Sequence, residues 1–393
     1  MIAVETLKKL IEERKGELTA IRRHLHQYPE LSFEEYKTSE YISTLLKKWG
    51  IDFETGWAGT GIVATIHGKR SGDAIALRAD MDALPIQEEN NCEYASQNSG
   101  VMHACGHDVH TACMLIAASV LHDHNDFAGT VNIIFQPGEE KLPGGASLMM
   151  QQGLFKKHPA KHIIGQHVYP ELPAGKVGFR PGPYMASTDE IYINIKGVGG
   201  HAAMPERLKD PVVAAAHVIL SLQTIVSRMV DPKIPCVLSI GKILAAGATN
   251  VIPDNVYLEG TLRTFDESLR NKVHDLIKDT AGHTASIYGC KAEIEIKKGY
   301  PVLINDHQLT RNCKKAAEEF LGKDKVTELD MRMTAEDFAY YTQEISGCFY
   351  RLGTGWENQK NIKRLHAPDF DVNEDALVVG AGLMAWLVYF LNG

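Results

Sequence analysis

At 393 residues the chain is too long for one ordinary domain and about right for two. Its 44% hydrophobic and 23% charged residues make an ordinary globular balance. A net charge of −8 without a clustered basic face excludes a nucleic-acid partner, whose phosphates would need one.

The N-terminus carries charge from Glu5 onward, so no secretory apolar region is expected there. The longest apolar stretch, 376–391, falls short of the roughly 20 residues a membrane span needs. It reads as a buried helix, and no membrane partner is expected. The seven cysteines are odd in number and widely spaced, with no CxxC pair. That pattern suits free thiols in a reducing compartment, the cytoplasm, better than a disulfide framework.

In chain order, the first 45 residues read as two helices with a turn at Tyr28-Pro29-Glu30. GIVATIH (61–67) and AIALR (74–78) read as strands, and 111–122 as a small-residue helix packed on a sheet. TVNIIF (130–135) and HIIGQ (162–166) are apolar runs that suit buried strands. This alternation predicts an α/β domain with a largely parallel sheet. After the RPGP link at 180–183, EIYINIK (190–196) alternates like a half-exposed strand. A helix over 211–229, strands over 236–243 and 256–265, a helix over 267–288 and a strand over 291–297 complete a β-α-β-β-α-β order. That is the ferredoxin-like split unit, so 181–294 is expected to be an inserted α+β domain. The chain then returns to the first domain through helix, strand, helix, strand and a final helix.

Residues suited to metal binding gather in four places beside strand ends. These are HACGHD (103–108) before the helix expected at 111, QPGEE (136–140) after TVNIIF, His167 at the end of HIIGQ, and His366 in LHAPDFD before the last helix. In open α/β sheets, sites form beyond the carboxyl ends of strands. A lone histidine among 17, a lone Glu-Glu pair or a lone CxH is weak by itself; their joint occurrence at successive strand ends is the signal. Thiolate, imidazole and carboxylate together suit zinc, manganese, cobalt or nickel, where calcium or magnesium would draw mostly oxygen. The number of candidate ligands suits two metals, ~3.5–4 Å apart, better than one. The doublet Glu139-Glu140 can supply both a ligand and a general base, because neighbouring side chains of an extended segment point apart.

The chain resembles the metal-dependent amidohydrolases that include hippurate hydrolases, indole-acetyl-amino-acid hydrolases, N-acetyl-diaminopimelate deacetylases and related aminoacylases. The matching stretches are RRHLHQYPELSFEE (22–35), LRADMDALP (77–85), MHACGHDVHTA (102–112), FQPGEE (135–140), GGASLMMQQG (144–153), GGHAAMP (199–205), NVIPD (250–254), GTLRTF (260–265), AEDFAYY (335–341) and HAPDFDVNEDAL (366–377). They follow the family's order over nearly the whole chain. The resemblance implies a metallopeptidase-type α/β catalytic domain, 1–180 and 295–393, and an inserted lid and dimerisation domain, 181–294. It implies metal ligands at Cys105, His107, Glu140, His167 and His366, with Cys105 a thiolate near or between both metals. Glu139 matches the base that takes a proton from the attacking water and delivers it to the leaving amine. Asp82 matches a carboxylate that orients a ligand; Asp80 is the weaker candidate for that job, with a structural partnership with Arg78 as an equal alternative. His201 matches a histidine that stabilises the oxyanion, commonly reaching the neighbouring subunit's site. Asn250 and Arg263 match residues that hold the substrate's carboxylate or oxyanion.

Two departures stand out. Many relatives carry two glycines before NVIPD, where this chain has Ala245 and Ala246, with Gly247 after them. Relatives often have Ser-Glu-Asp-Phe in place of Ala335-Glu336-Asp337-Phe338. The expected activity is hydrolysis of N-acyl-L-amino acids by a homodimer or tetramer. The rivals are a dipeptidase or carboxypeptidase on the same scaffold and a non-enzymatic metal-binding protein.

Overall fold

A computed structural model describes residues 2–357 and 361–393. The chain forms two compact units, Met1–Gly182 with Ile304–Asp330 and Asp337–Gly393, and Pro183–Leu303 with Met331–Glu336.

The first unit is built on an eight-stranded sheet. Its order is Asp52–Trp57, Gly61–His67, Ala128–Gln136, Arg70–Asp80, His162–Pro173, Ser346–Gly355, Val177–Phe179 and Val326–Glu328. The four strands from Ala128–Gln136 to Ser346–Gly355 run parallel, and the two at the first edge are antiparallel. The α/β class with a largely parallel sheet is therefore as expected. The central strands are apolar throughout because both faces are covered; Ile75, Leu77, Val131, Ile133, Ile163 and Ile164 have no exposure. Helix His107–Asp123 is buried on every side from His107 to Leu121. It packs on Ala376–Leu391, also buried along most of its length. The two approach closely at Gly380, where a Cβ would lie 2.8 Å from Cys113 Sγ.

Three local expectations change. The first 45 residues belong to three helices, Val4–Glu13, Lys15–Gln27 and Tyr36–Trp49. The first break falls at Arg14, whose N–H bonds Ile11 O at 3.0 Å in a tighter i→i−3 turn, with Gly16 already inside the next helix. The strand Asp52–Trp57 was not expected; it is a polar edge strand, and its DFETGW sequence lacks an apolar run. The helix expected at 111 begins at His107, and the strand expected to stop at 166 continues to Pro173, which puts His167 mid-strand.

In the second unit four antiparallel strands lie in the order Cys236–Leu244, Asn255–Thr264, Asp189–Lys196, Lys291–Lys298. This is the split β-α-β-β-α-β arrangement. Helices Pro211–Thr224 and Glu267–Ile287 pack with Ile191, Ile193 and Ile195. Each starts behind an aspartate cap: Asp210 accepts from Val212 N at 2.8 Å, ahead of Pro211, and Asp266 accepts from Leu269 N at 2.6 Å. The first of these helices runs into a π turn, Ile225–Met229. Among the described residues, Pro211–Met229 is the one helix long and apolar enough to cross a membrane by length and composition. Its Ala214, Val218 and Leu222 are buried in the unit's core, while Val212, Val213 and Leu220 are exposed.

Candidate metal centre

The six residues singled out in the first unit converge. Cys105 lies in the turn before helix His107–Asp123, and His107 is that helix's first residue. Gly106 between them has φ 78°, and a Cβ there would sit 2.5 Å from Val168 Cγ2. Only glycine lets the cysteine turn lie this close to the strand that carries His167. Glu139 and Glu140 follow strand Ala128–Gln136. His366, at φ 63°, is tied to the cysteine turn by its N–H on Ala104 O at 2.8 Å. The ligand atoms of Cys105, His107 and His167 lie within 4.8 Å of one another, as do those of Cys105, Glu140 and His366, and those of His107, Glu139 and Glu140.

His107, His167 and the Glu140 main chain are each held by a partner. Asp82 Oδ1 stands 3.1 Å from His107 Nδ1, and its Oδ2 accepts the Glu140 N–H at 3.0 Å. His107 therefore presents Nε2 inward, 3.9 Å from Glu140 Oε1. His167 Nδ1 donates to Val168 O at 2.8 Å, which leaves Nε2 with its lone pair 3.5 Å from Cys105 Sγ. His366 Nε2 lies 3.3 Å from Glu140 Oε1, with its side chain half exposed.

The electrostatics differ across the cluster. Burial, reinforced by Glu140, Glu139 and Asp80, pushes the Cys105 thiol well above its usual range. Burial opposes charge on His107, but Asp80, Asp82 and Glu140 outweigh it and lift the imidazole to about 10. Burial, with Arg351 nearby, holds His167 well below the usual imidazole range. Around Cys105 and His107 the pocket therefore carries excess negative charge that a cation would relieve. His107 Nε2 and Glu140 Oε1 are both buried without a hydrogen-bond partner.

The model of peptidase family M20/M25/M40 matches residues 76–389. The chain belongs to this family. It is 43% identical over 302 residues to an N-acyl-L-amino acid amidohydrolase of Geobacillus stearothermophilus, covering 77% of this chain and 81% of that one. It is 41% identical over 363 residues to an N-acetyl-L-cysteine deacetylase of Bacillus subtilis, covering 92% and 85%. The crystal structure of Bacillus subtilis YXEP protein, a dinuclear metal-binding peptidase of the M20 family, matches with a TM-score of 0.84 and 35% identity over 97% of this chain and 99% of that one.

In this M20 chain the donor set fits transition metals. It mixes sulfur, nitrogen and oxygen, and two of its inward atoms, His107 Nε2 and Glu140 Oε1, lack hydrogen-bond partners. Sequence reasoning missed most of the residues behind it, the Arg78–Asp80 partnership being the one it expected. Arg78 NH1 donates to Asp80 Oδ2 at 2.6 Å, so Asp80 is a partner of Arg78. Asp80 also faces His110 Nδ1 at 2.5 Å and His107 Nε2 at 3.5 Å. Asp337, from the AEDFAYY stretch, takes Arg78 NH2 at 2.8 Å, Gln136 Nε2 at 2.8 Å and the Ala146 N–H at 3.0 Å. Arg22 and His26 meet Asp108 at 2.9 and 2.7 Å beside the helix start. The available signals were the second histidine three residues after His107 and the charged RRHLH run.

In the second unit, His201 and Asn250 are brought together. His201 pairs with Val251 in a two-strand ribbon, and the Ala202 N–H donates to Asn250 O at 3.0 Å. The loop at the two alanine departures closes tightly, with Ala248 and Val251 exchanging backbone hydrogen bonds at 3.0 and 3.1 Å. Arg263 lies on Asn255–Thr264 with Nε 3.3 Å from Thr261 Oγ1.

Proposed function

We propose that the protein is a metal-dependent amidohydrolase that cleaves the amide bond of N-acyl-L-amino acids. The observation that carries this reading is the convergence of Cys105, His107, Glu140, His167 and His366 with Glu139 beside them, in a family whose similar members include an N-acyl-L-amino acid amidohydrolase and a deacetylase. The five residues would hold two divalent transition metals, manganese or zinc ahead of cobalt or nickel. Such a pair, when bound, supplies a Lewis acid for the amide carbonyl and lowers the pKa of a water.

The chain's own residues do the rest. Glu139, buried next to His107 and Glu140, takes the proton of the attacking water and returns it to the leaving amine nitrogen. Asp82 holds His107 in the tautomer that offers Nε2 and pins the Glu140 main chain. His201 donates to the developing oxyanion. Asn250 and Arg263 take the free carboxylate of the amino-acid half, which matches a guanidinium fork.

In the same reading the first unit is the catalytic domain and the second the lid and dimerisation domain. A second copy of the chain covers the exposed Val212, Val213 and Leu220 to make a homodimer, or a tetramer built from it. The seven free cysteines suit the cytoplasm.

The test is Glu139→Gln. It should retain two metals per chain and lose turnover of hippurate and N-acetyl-methionine by at least ~10³-fold; full activity sinks the proposal. Faster cleavage of an unblocked dipeptide than of either acyl amino acid would transfer the assignment to a dipeptidase or carboxypeptidase.

A further inference from the structure

The PELSFEE stretch (29–35) is not used in the mechanism above, yet it is bound closely to the loops that form the centre. Glu30 O accepts the Ala83 N–H at 2.8 Å, and Leu31 bridges Ala83 in parallel fashion. The Ser32 hydroxyl donates to Asp82 Oδ2 at 2.6 Å. Phe33 takes φ 69°, an unusual value for an aromatic residue. Glu35 is completely buried. Its Oε1 accepts two backbone N–H groups, Phe33 at 2.9 Å and Gly138 at 2.8 Å, and its Oε2 accepts the Thr60 hydroxyl at 2.6 Å. From the other side, Gly138 at φ 61° leaves so little room that a Cβ would lie 2.3 Å from Phe33 Cε1.

None of the hydrogen-bonding partners of Glu35 is a cation. Burial and the neighbouring Asp82 charge push its carboxyl up to about 7 against the pull of these donors. A carboxyl buried without a cationic partner is costly, so packing alone does not account for Glu35. What the carboxyl does supply is one oxygen that fixes two loops to each other, one of them the segment that delivers Glu139 and Glu140. Backbone strain and costly polar burial at one place are the signature of a functional constraint.

We propose that Glu35 is a positioning residue, which fixes the main chain at Gly138 and so the direction in which Glu139 and Glu140 leave their strand, while Ser32 steadies the Asp82 carboxylate behind His107. The proposal rests on the metal-centre reading given above. It requires the position of an oxygen and does not require its charge. Glu35→Gln keeps an oxygen in place for both N–H groups, and the Thr60 hydroxyl can turn to accept. Glu35→Asp keeps the charge but draws the oxygens back by one carbon–carbon bond, about 1.5 Å.

The experiment compares the two variants by calorimetric titration of the apoprotein with manganese and with zinc, and by steady-state kinetics on hippurate. Glu35→Gln is expected within threefold of the parent in metal affinity, kcat and KM. Glu35→Asp is expected to bind metal about 10- to 100-fold more weakly and to lose about 10²-fold in kcat with KM within threefold. The reverse order, an active Asp variant and an impaired Gln variant, overturns the proposal, and so does an Asp variant indistinguishable from the parent. If Glu35→Asp does not fold, Gly138→Ala pushes the same loop from the opposite side with Glu35 intact. It should show the same losses, and parent-like values there overturn the idea. Should the parent bind metal but hydrolyse no N-acyl amino acid, the functional reading fails while the metal titration still decides this one.

Discussion

His110 receives the Val168 N–H on Nε2 at 2.9 Å and therefore turns its Nδ1–H toward Asp80, 2.5 Å away. The tautomer is forced: a ring nitrogen that accepts cannot carry the proton, so the other one does. Val168 is also the residue whose carbonyl holds His167 Nδ1. His110 thus connects the Arg78–Asp80 pair to the orientation of a candidate ligand one strand away. His110→Ala leaves a buried carboxylate oxygen and a buried N–H unmatched, at roughly 1–3 kcal/mol each. Denaturant unfolding of the apoprotein should lose about 3 kcal/mol, and zinc affinity should fall at least ~10-fold. A loss of stability with unchanged zinc affinity would mean that Val168 is held by other contacts.

Asp82 makes a second, more direct link. One oxygen faces His107 Nδ1, and the other takes the Glu140 N–H and the Ser32 hydroxyl. Burial pushes this carboxyl up, but His107 and the two donors outweigh it, so it stays ionised at neutral pH. Asp82→Ala should weaken metal binding ~10- to 100-fold, and Ser32→Ala less, because it removes only one of the three groups. Isothermal titration on both apoproteins checks the order, and equal effects would contradict it.

How far the site was readable in advance follows from where each residue sits. Cys105, His107, Glu139, Glu140 and His167 lie next to apolar runs long enough to be recognised as strands or helices, so their convergence could be anticipated from topology alone. His366 follows no such run directly and was read from its place in LHAPDFD before the last helix. His167 was expected at a strand end, yet the strand continues through VYPELP to Pro173, where alternation fades and pairing with Ser346–Gly355 holds the backbone. The Asp80–His110 link was not readable, since it depends on which helix crosses which strand. The break at Arg14 was missed because a local i→i−3 turn makes it, and the polar edge strand Asp52–Trp57 because pairing with Gly61–His67, not its own propensity, decides it. In the second unit the order of the four sheet strands and two long helices was legible, because alternating strands and aspartate-capped helices follow simple periodic rules, while the short His201–Val251 ribbon was not.

Removing metal should be visible as a loss of stability, whatever substrate is used. A ligand that binds only the folded chain adds about 2.7 kcal/mol per site at a hundredfold excess over its Kd. The orphaned His107 Nε2 and Glu140 Oε1, and the crowding of negative charge that raises the Cys105 thiol and His107, make the apoprotein the strained state. Chelation should therefore lower the melting temperature, and zinc or manganese should restore it. Cys105→Ser should remove most of that difference, because a hydroxyl is a poor substitute for a thiolate ligand. Calorimetric scans of both proteins with and without metal check this; a parent melting temperature insensitive to both ions would contradict the fit of the donor set.

The second unit should show its own acid sensitivity through Asp189. This carboxylate is fully buried and accepts from His274 Nε2 at 2.6 Å and Arg270 Nε at 2.9 Å. Burial pushes it up, but these hydrogen bonds and the guanidinium charge prevail and hold it at about 2, against an ordinary 3.8. A folded-state value below the unfolded one means that the unfolded chain binds the proton more readily. The stabilisation is therefore complete above pH 3.8, declines as the pH falls and is gone below about 2. The size of the shift corresponds to about 2 kcal/mol. Asp189→Asn should expose this directly. Hydrogen exchange of the Asp189–Lys196 amides should be faster than in the parent at pH 6, and the gap between the two proteins should close as the pH is lowered through the window from about 4 to about 2. A gap that stays constant across that window would assign the stabilisation to the shape of the site and not to the charge of Asp189.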